Sequence, residues 1–241
     1  QMANGDKEGA LESYSKLTAL LPKSAPAQMR LASVHMALRN PDAAAADLKK
    51  AVAIDPSFLE AQLALAELQV RGGKADEALA MARQIQKQRP KEPAGYLLEG
   101  SVLQSQGKDA LAVGPYEQAL ALSGGPLVQT KLHSALTRAG KTKDADTRLA
   151  QWRKQAPGDM QLAMYVADMM LANKQYKEAI VELELMLVKA PNNPVLLNNL
   201  AWAYQQVKDP RALKTAEKAL AGAADNASVL DTLGHILVEQ G

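Results

Sequence analysis

The chain has 241 residues, 47% hydrophobic but only 4% aromatic, and its 28 basic and 26 acidic side chains give a net charge of +2. That near balance, spread along the chain, argues against a nucleic-acid surface, which needs Lys and Arg clustered to track phosphates. The sequence has no cysteine, so disulfides and thiolate metal sites are ruled out, and it fits the cytosol and the periplasm equally.

In chain order, residues 1–24 carry Gly5, Ala10, Tyr14, Leu17 and Pro22 at turn, small, large, large and stop positions. This is the pattern of a second helix in a pair whose first helix is almost wholly absent. From there punctuation recurs every 34 residues, at Pro22, Pro56 and Pro90 and again at Pro157 and Pro191, with Gly124 filling the missing step. Proline lacks the N–H that a helix needs and restricts the residue before it, so each mark ends a two-helix unit. With that mark as position 32, full units are predicted at 25–58, 59–92, 93–125, 126–159, 160–193 and 194–226. Two units are one residue short, near Gly124-Gly125 and near Asp209-Pro210, where the deletions fall in loops. Met160–Ala172 is the most apolar stretch, but Asp168 interrupts it and it falls short of the ~20 residues that cross a bilayer. Residues 227–241 supply Leu230, Leu233, Gly234 and Leu237 of a first helix and stop at Gly241 in the turn. Both ends cut a unit in half, so the chain is expected to be a fragment of a longer array. Any signal peptide, lipid-attachment cysteine or catalytic domain is expected outside it.

The period and the two-helix unit resemble the tetratricopeptide repeat. The resemblance implies an all-α fold, a right-handed α-α superhelical solenoid of helix–turn–helix repeats, with residues 1–241 forming a single array. Position 8 holds Ala32, Ala66, Gly100, His133, Ala167 and Ala201; position 20 holds Ala44, Ala78, Ala112, Ala145, Ala179 and Ala212. Small side chains suit helix axes that approach to about 8–10 Å. Larger residues such as Leu31, Leu48, Tyr116, Leu200 and Tyr204 fill the space between, and Gly73, Gly107 and Gly140 suit left-handed turns.

Catalytic chemistry has no foothold in the motifs. There is no Gly-rich phosphate loop, Gly-x-Ser-x-Gly elbow or His-Glu-x-x-His helix, and no cofactor is implied. His35, His133 and His235 lie about three repeats apart and cannot share a metal ion. His35 and His133 are expected to be structural, His133 easing its helix pair apart, and Trp152 is expected in the core. Acid pairs such as Asp76-Glu77 open second helices, where they favour the helix dipole.

In tetratricopeptide arrays the first helices line a concave groove, and positions 2, 5, 9, 12 and 13 point into it. By that resemblance the candidate protein-binding groove comprises Met164, Asp168, Asn198, Asn199, Trp202, Gln205, Gln206, Asp231 and His235, with Glu239 beyond. Trp202 has two readings, an accessible anchor flanked by backbone-gripping amides or a ring packed on the next helix near Leu230 and His235. A carboxylate clamp, as in co-chaperones, needs Lys at position 5 and Asn at position 9. Position 5 reads Met29, Leu63, Leu97, Thr130, Met164, Asn198 and Asp231, and position 9 has no Asn, so that mode is excluded. An asparagine ladder, as in O-GlcNAc transferases, is disfavoured because only Asn199 stands at position 6.

The runs Asn198-Asn199-Leu200-Ala201-Trp202-Ala203-Tyr204, Asp209-Pro210-Arg211-Ala212-Leu213 and Asp231-Thr232-Leu233-Gly234 are more specific. They resemble the tetratricopeptide lipoproteins of PEP-CTERM/exosortase systems (the PrsT-type family), although His235 stands where that family usually has tryptophan. The resemblance implies a non-catalytic scaffold that is periplasmic and anchored to the membrane only through a lipid outside this fragment. Its groove would hold a protein or peptide from exopolysaccharide export and protein sorting. Two alternatives stay open: a cytosolic adaptor or co-chaperone, and the substrate-binding arm of a glycosyltransferase.

Overall fold

The computed structural model describes residues 6–123 and 125–240, so Gly5, Gly124 and Gly241, assigned above to turns and a stop, lie outside the described residues. Among the described residues there are fourteen α-helices and no strand, the all-α helix-pair solenoid class expected. The chain divides into two compact units, residues 1–148 and 149–241. The first contains α1 (Lys7–Leu20), α2 (Ala25–Ala37), α3 (Pro41–Ile54), α4 (Leu59–Arg71), α5 (Ala75–Gln88), α6 (Ala94–Ser105), α7 (Asp109–Ser123), α8 (Pro126–Arg138) and the start of α9 (Thr142–Gln155). The second contains the end of α9, then α10 (Met160–Ala172), α11 (Tyr176–Lys189), α12 (Pro194–Gln206), α13 (Ala212–Gly222) and α14 (Ala227–Gln240).

The punctuation works as its chemistry requires. Pro22, Pro56, Pro90, Pro157 and Pro191 each stand two residues past the last residue of α1, α3, α5, α9 and α11. Restarts are capped by short polar side chains: Ser24, Asn40, Asp159 and Asn193 each accept backbone N–H bonds from the first turn of the following helix. Between the two helices of a pair, Gly73, Gly107 and Gly140 adopt φ of 74°, 72° and 76°. The equivalent residues elsewhere are Arg39, Lys174 and Lys208, at φ 57°, 61° and 57°. All six are followed by an N–H that closes on a carbonyl five residues back, as in Lys74 to Gln69 and Asp209 to Tyr204. Left-handed backbone is thus a property of this position, whereas glycine marks only half of its occurrences.

The small positions are the core. Ala32, Ala66, Gly100, His133, Ala167 and Ala201 are buried, as are Ala44, Ala78, Ala112, Ala145, Ala179 and Ala212. In the first unit, Leu48 and Leu65 pack among Ala25, Ala32, Ala44, Ala51 and Ala61. In the second, Leu183, Met186, Leu196, Leu200, Tyr204 and Ile236 pack around Ala167, Ala179 and Ala201. Trp152 is buried with Leu162 and Val166. His133 is buried, and that burial pushes its imidazole below the ordinary histidine range, with Asp146 opposing.

Two details add to the sequence reading. His35 is half-buried, and its Nδ1 lies 2.8 Å from Oδ2 of buried Asp47, whose other oxygen accepts from Lys50 at 3.1 Å. This polar pair tying α2 to α3 has no periodic signature. In α14 only part of the Leu230, Leu233, Gly234 and Leu237 pattern lies on the buried face: Leu233 packs partly buried on the core, Leu230 is 48% and Leu237 50% exposed, and Val229, Thr232 and Ile236 are buried. The buried stripe lies one residue before the leucines because α12 and α13 pack on that side.

Candidate functional site

The candidate residues all belong to the second unit and to its alternate helices α10, α12 and α14. Each helix is turned by its buried stripe. Leu162, Val166 and Ala167 fix α10; Leu196, Leu197, Leu200, Ala201 and Tyr204 fix α12. Outside those stripes lie Met164, which packs partly buried against the same core, and Asp168, then Asn198, Asn199, Trp202, Gln205 and Gln206, then Asp231, His235 and Glu239.

Side-chain contacts link these helices in steps. Asn199 Nδ2 donates to Asp168 Oδ1 at 3.1 Å, joining α12 to α10. Trp202 is half-buried, and its ring centroid lies 5.2 Å from that of exposed His235 at a tilt of 43°, joining α12 to α14. Gln205 donates to Glu239 Oε2, and His235 Nε2 lies 3.2 Å from Glu239 Oε1. The Trp202 ring thus packs on His235 of α14 while the residue as a whole is only half-buried. Met164 and Gln206 are half-buried and Asp231 is exposed. Asn198 is half-buried, and its Oδ1 is enclosed with no partner among the described residues.

The face is acidic, with Asp168, Asp231 and Glu239 and no Lys or Arg among the candidates. Desolvation holds the Asp168 carboxyl above the ordinary carboxylate range. The face thus offers hydrogen-bond donors and acceptors, carboxylates and one aromatic surface.

Sequence reasoning missed the supports behind this face. Arg211 donates from Nε and Nη2 to Asp209 at 3.0 and 2.8 Å and from Nη1 to Glu184 Oε1 at 2.9 Å. Its guanidinium also lies 4.2 Å from the centre of the Tyr204 ring, whose hydroxyl donates to the same Glu184 oxygen. Burial, reinforced by Glu184, raises the Tyr204 phenol above its ordinary value. The Asp-Pro-Arg turn is thus a clasp holding α11, α12 and α13.

Stacked helix pairs with small residues at the crossings and an amide, acid and aromatic row on alternate helices define a helical-repeat protein of the interaction class. The chain belongs to the tetratricopeptide repeat family: two family models, both described as tetratricopeptide repeat, match it, one over residues 36–101 and the other over 1–57 and 133–194. It is similar to small glutamine-rich tetratricopeptide repeat-containing protein 2 of Saccharomyces cerevisiae, 32% identical over 84 residues, 35% of this chain. The chain spans 24% of that relative's length. Among solved structures it resembles yeast Tom70 (TM-score 0.78, 14% identity, 99% of this chain and 52% of that one). It also resembles a tetratricopeptide repeat protein from Parabacteroides merdae (0.60, 16%, 95% and 87%) and the MamA protein (0.56, 20%, 65% and 86%). At these identities the likeness is one of fold.

Proposed function

We propose that this chain is a non-catalytic protein–protein interaction scaffold whose second unit holds a partner segment along the face of α10, α12 and α14. The observation that carries the reading is Trp202, half-buried on α12 beside Asn198, Gln205 and Gln206 of the same helix, with His235 of α14 against its ring. A large amphipathic ring with little rotamer entropy to lose is a favoured anchor, and amides match the donors and acceptors of a peptide backbone. Membership of the tetratricopeptide repeat family supports a binding role without turnover.

The finer reading is a periplasmic, lipid-anchored member of a PEP-CTERM/exosortase system that gathers exopolysaccharide and sorting machinery. It rests on the runs Asn198–Tyr204, Asp209–Leu213 and Asp231–Gly234. The deciding measurement is the intact mass of the mature N-terminus of the native full-length protein. An acylated cysteine is expected; an unprocessed N-terminus overturns the periplasmic reading in favour of a cytosolic adaptor. For the groove itself, Trp202→Ala should abolish capture of partners cross-linked in native cells while leaving helix content intact. Parallel loss of helicity and capture would instead make the ring a core residue.

A further inference from the structure

We propose that the first unit carries a separate docking site, a cavity at the turn edge of α2–α5 that takes an extended peptide segment bearing carboxylates and an apolar side chain. The cavity has a volume of about 520 Å³ and lies between the C-terminal ends of α2 and α4 and the N-terminal parts of α3 and α5. That is the size at which protein cavities enclose ligands rather than single waters. None of the groove candidates of the second unit belongs to it.

Two properties define the occupant. The first is an apolar floor, made by Met36, Leu65 and Leu68, which calls for an apolar side chain. The second is charge. Arg39, Lys49 and Lys74 line the cavity, and none pairs with a carboxylate among the described residues. Arg71, also on the wall, is engaged by Glu67 at 2.6 Å. The lining carboxylates are Asp42 and Glu77, and Glu77 already accepts from Gln69. The rim is therefore cationic, and long exposed cations complement a partner's carboxylates and steer its approach.

A fatty acid would satisfy the floor, but it brings one carboxylate to three unpaired cations, Arg39, Lys49 and Lys74. A peptide with several acidic side chains supplies both: carboxylates for the rim and an apolar side chain for the floor.

The test is a titration of the ¹⁵N-labelled full chain with an acetylated, amidated peptide of alternating aspartate and leucine. Its controls are the lysine-for-aspartate peptide and dodecanoate. Shifts are expected at the Leu68, Gln69, Gly72 and Lys74 amides and at the Gln69 side-chain amide, and none with the lysine peptide. The double variant Lys49→Glu/Lys74→Glu should weaken binding by about tenfold or more with helix content unchanged, because both side chains are exposed. The proposal is overturned if the acidic peptide leaves these amides unmoved, if it moves only the Trp202 indole, or if the double variant binds it equally. Shifts produced by dodecanoate and not by the peptide would overturn it in favour of a small-acid site.

Discussion

A methyl group added at Gly100 would lie 2.5 Å from Tyr116 Cε1 and 2.7 Å from its Cδ1. The ring cannot easily give way: Tyr116 is fully buried, and its hydroxyl donates to Gln104 Oε1 at 3.0 Å. Gly100→Ala should therefore cost about 1–3 kcal/mol, read as a lower melting temperature by circular dichroism. Gly234→Ala in α14, where nothing lies within 4 Å, is the control and should gain up to ~1 kcal/mol from helix propensity. Asp168 poses the opposite problem, a charge held where it is disfavoured. Its folded pKa lies above the unfolded 3.8, so the protonated form favours folding at low pH. That contribution is lost as pH rises through the raised value, and at neutral pH the ionised carboxylate opposes folding. Asp168→Asn keeps an acceptor for Asn199 and removes the charge. It should melt higher than the parent at neutral pH, and the difference should vanish below pH about 4. An equal gain at both pH values would assign the effect to packing.

Among the helices and their connections, what the sequence revealed was periodic or local, and what it hid was neither. Proline stops and small crossing residues repeat every unit and act within a turn or a single contact, so Ala44 through Ala212 could be placed by counting. The turn between paired helices was half visible, since glycine signals φ > 0 but Arg39, Lys174 and Lys208 take the same conformation held by the surrounding hydrogen bonds. The buried face of α14 was not legible from its leucines, because leucine count is a poorer guide than which neighbours pack there. The clasp at Asp209-Pro210-Arg211 was visible only as a motif; its partners Glu184 and Tyr204 sit on two other helices. The α12–α13 connection yields a paired prediction. Lys208→Gly relieves left-handed backbone and should gain about 1 kcal/mol. Arg211→Ala leaves the turn backbone free to close but removes the contacts to α11 and α12. It should lower the melting temperature and shift the Tyr204 ring signals in NMR spectra. Unmoved ring signals would show that the guanidinium holds only its own turn.

Across the full chain the apolar core is not one nucleus but a series of clusters, each drawn from neighbouring helices, such as Ala66, Ala78 and Val102 or Trp152, Leu162 and Val166. Stability in such repeat arrays approximates a sum of local terms with nearest-neighbour coupling, so unfolding need not be all-or-none. The two tryptophans, Trp152 and Trp202, both fall in the second unit, whereas helices of both units contribute to far-ultraviolet circular dichroism. In urea, tryptophan fluorescence therefore follows residues 149–241, while dichroism follows the sum. The two transitions are expected to have different midpoints in the parent chain. Ala78→Leu, which overpacks a fully buried crossing in the first unit, should cost about 1–3 kcal/mol there. It should move the dichroism midpoint to lower urea and leave the fluorescence transition where it was. If fluorescence and dichroism instead shift together and coincide, the chain unfolds as one cooperative body, and local clusters are the wrong description of what holds it folded.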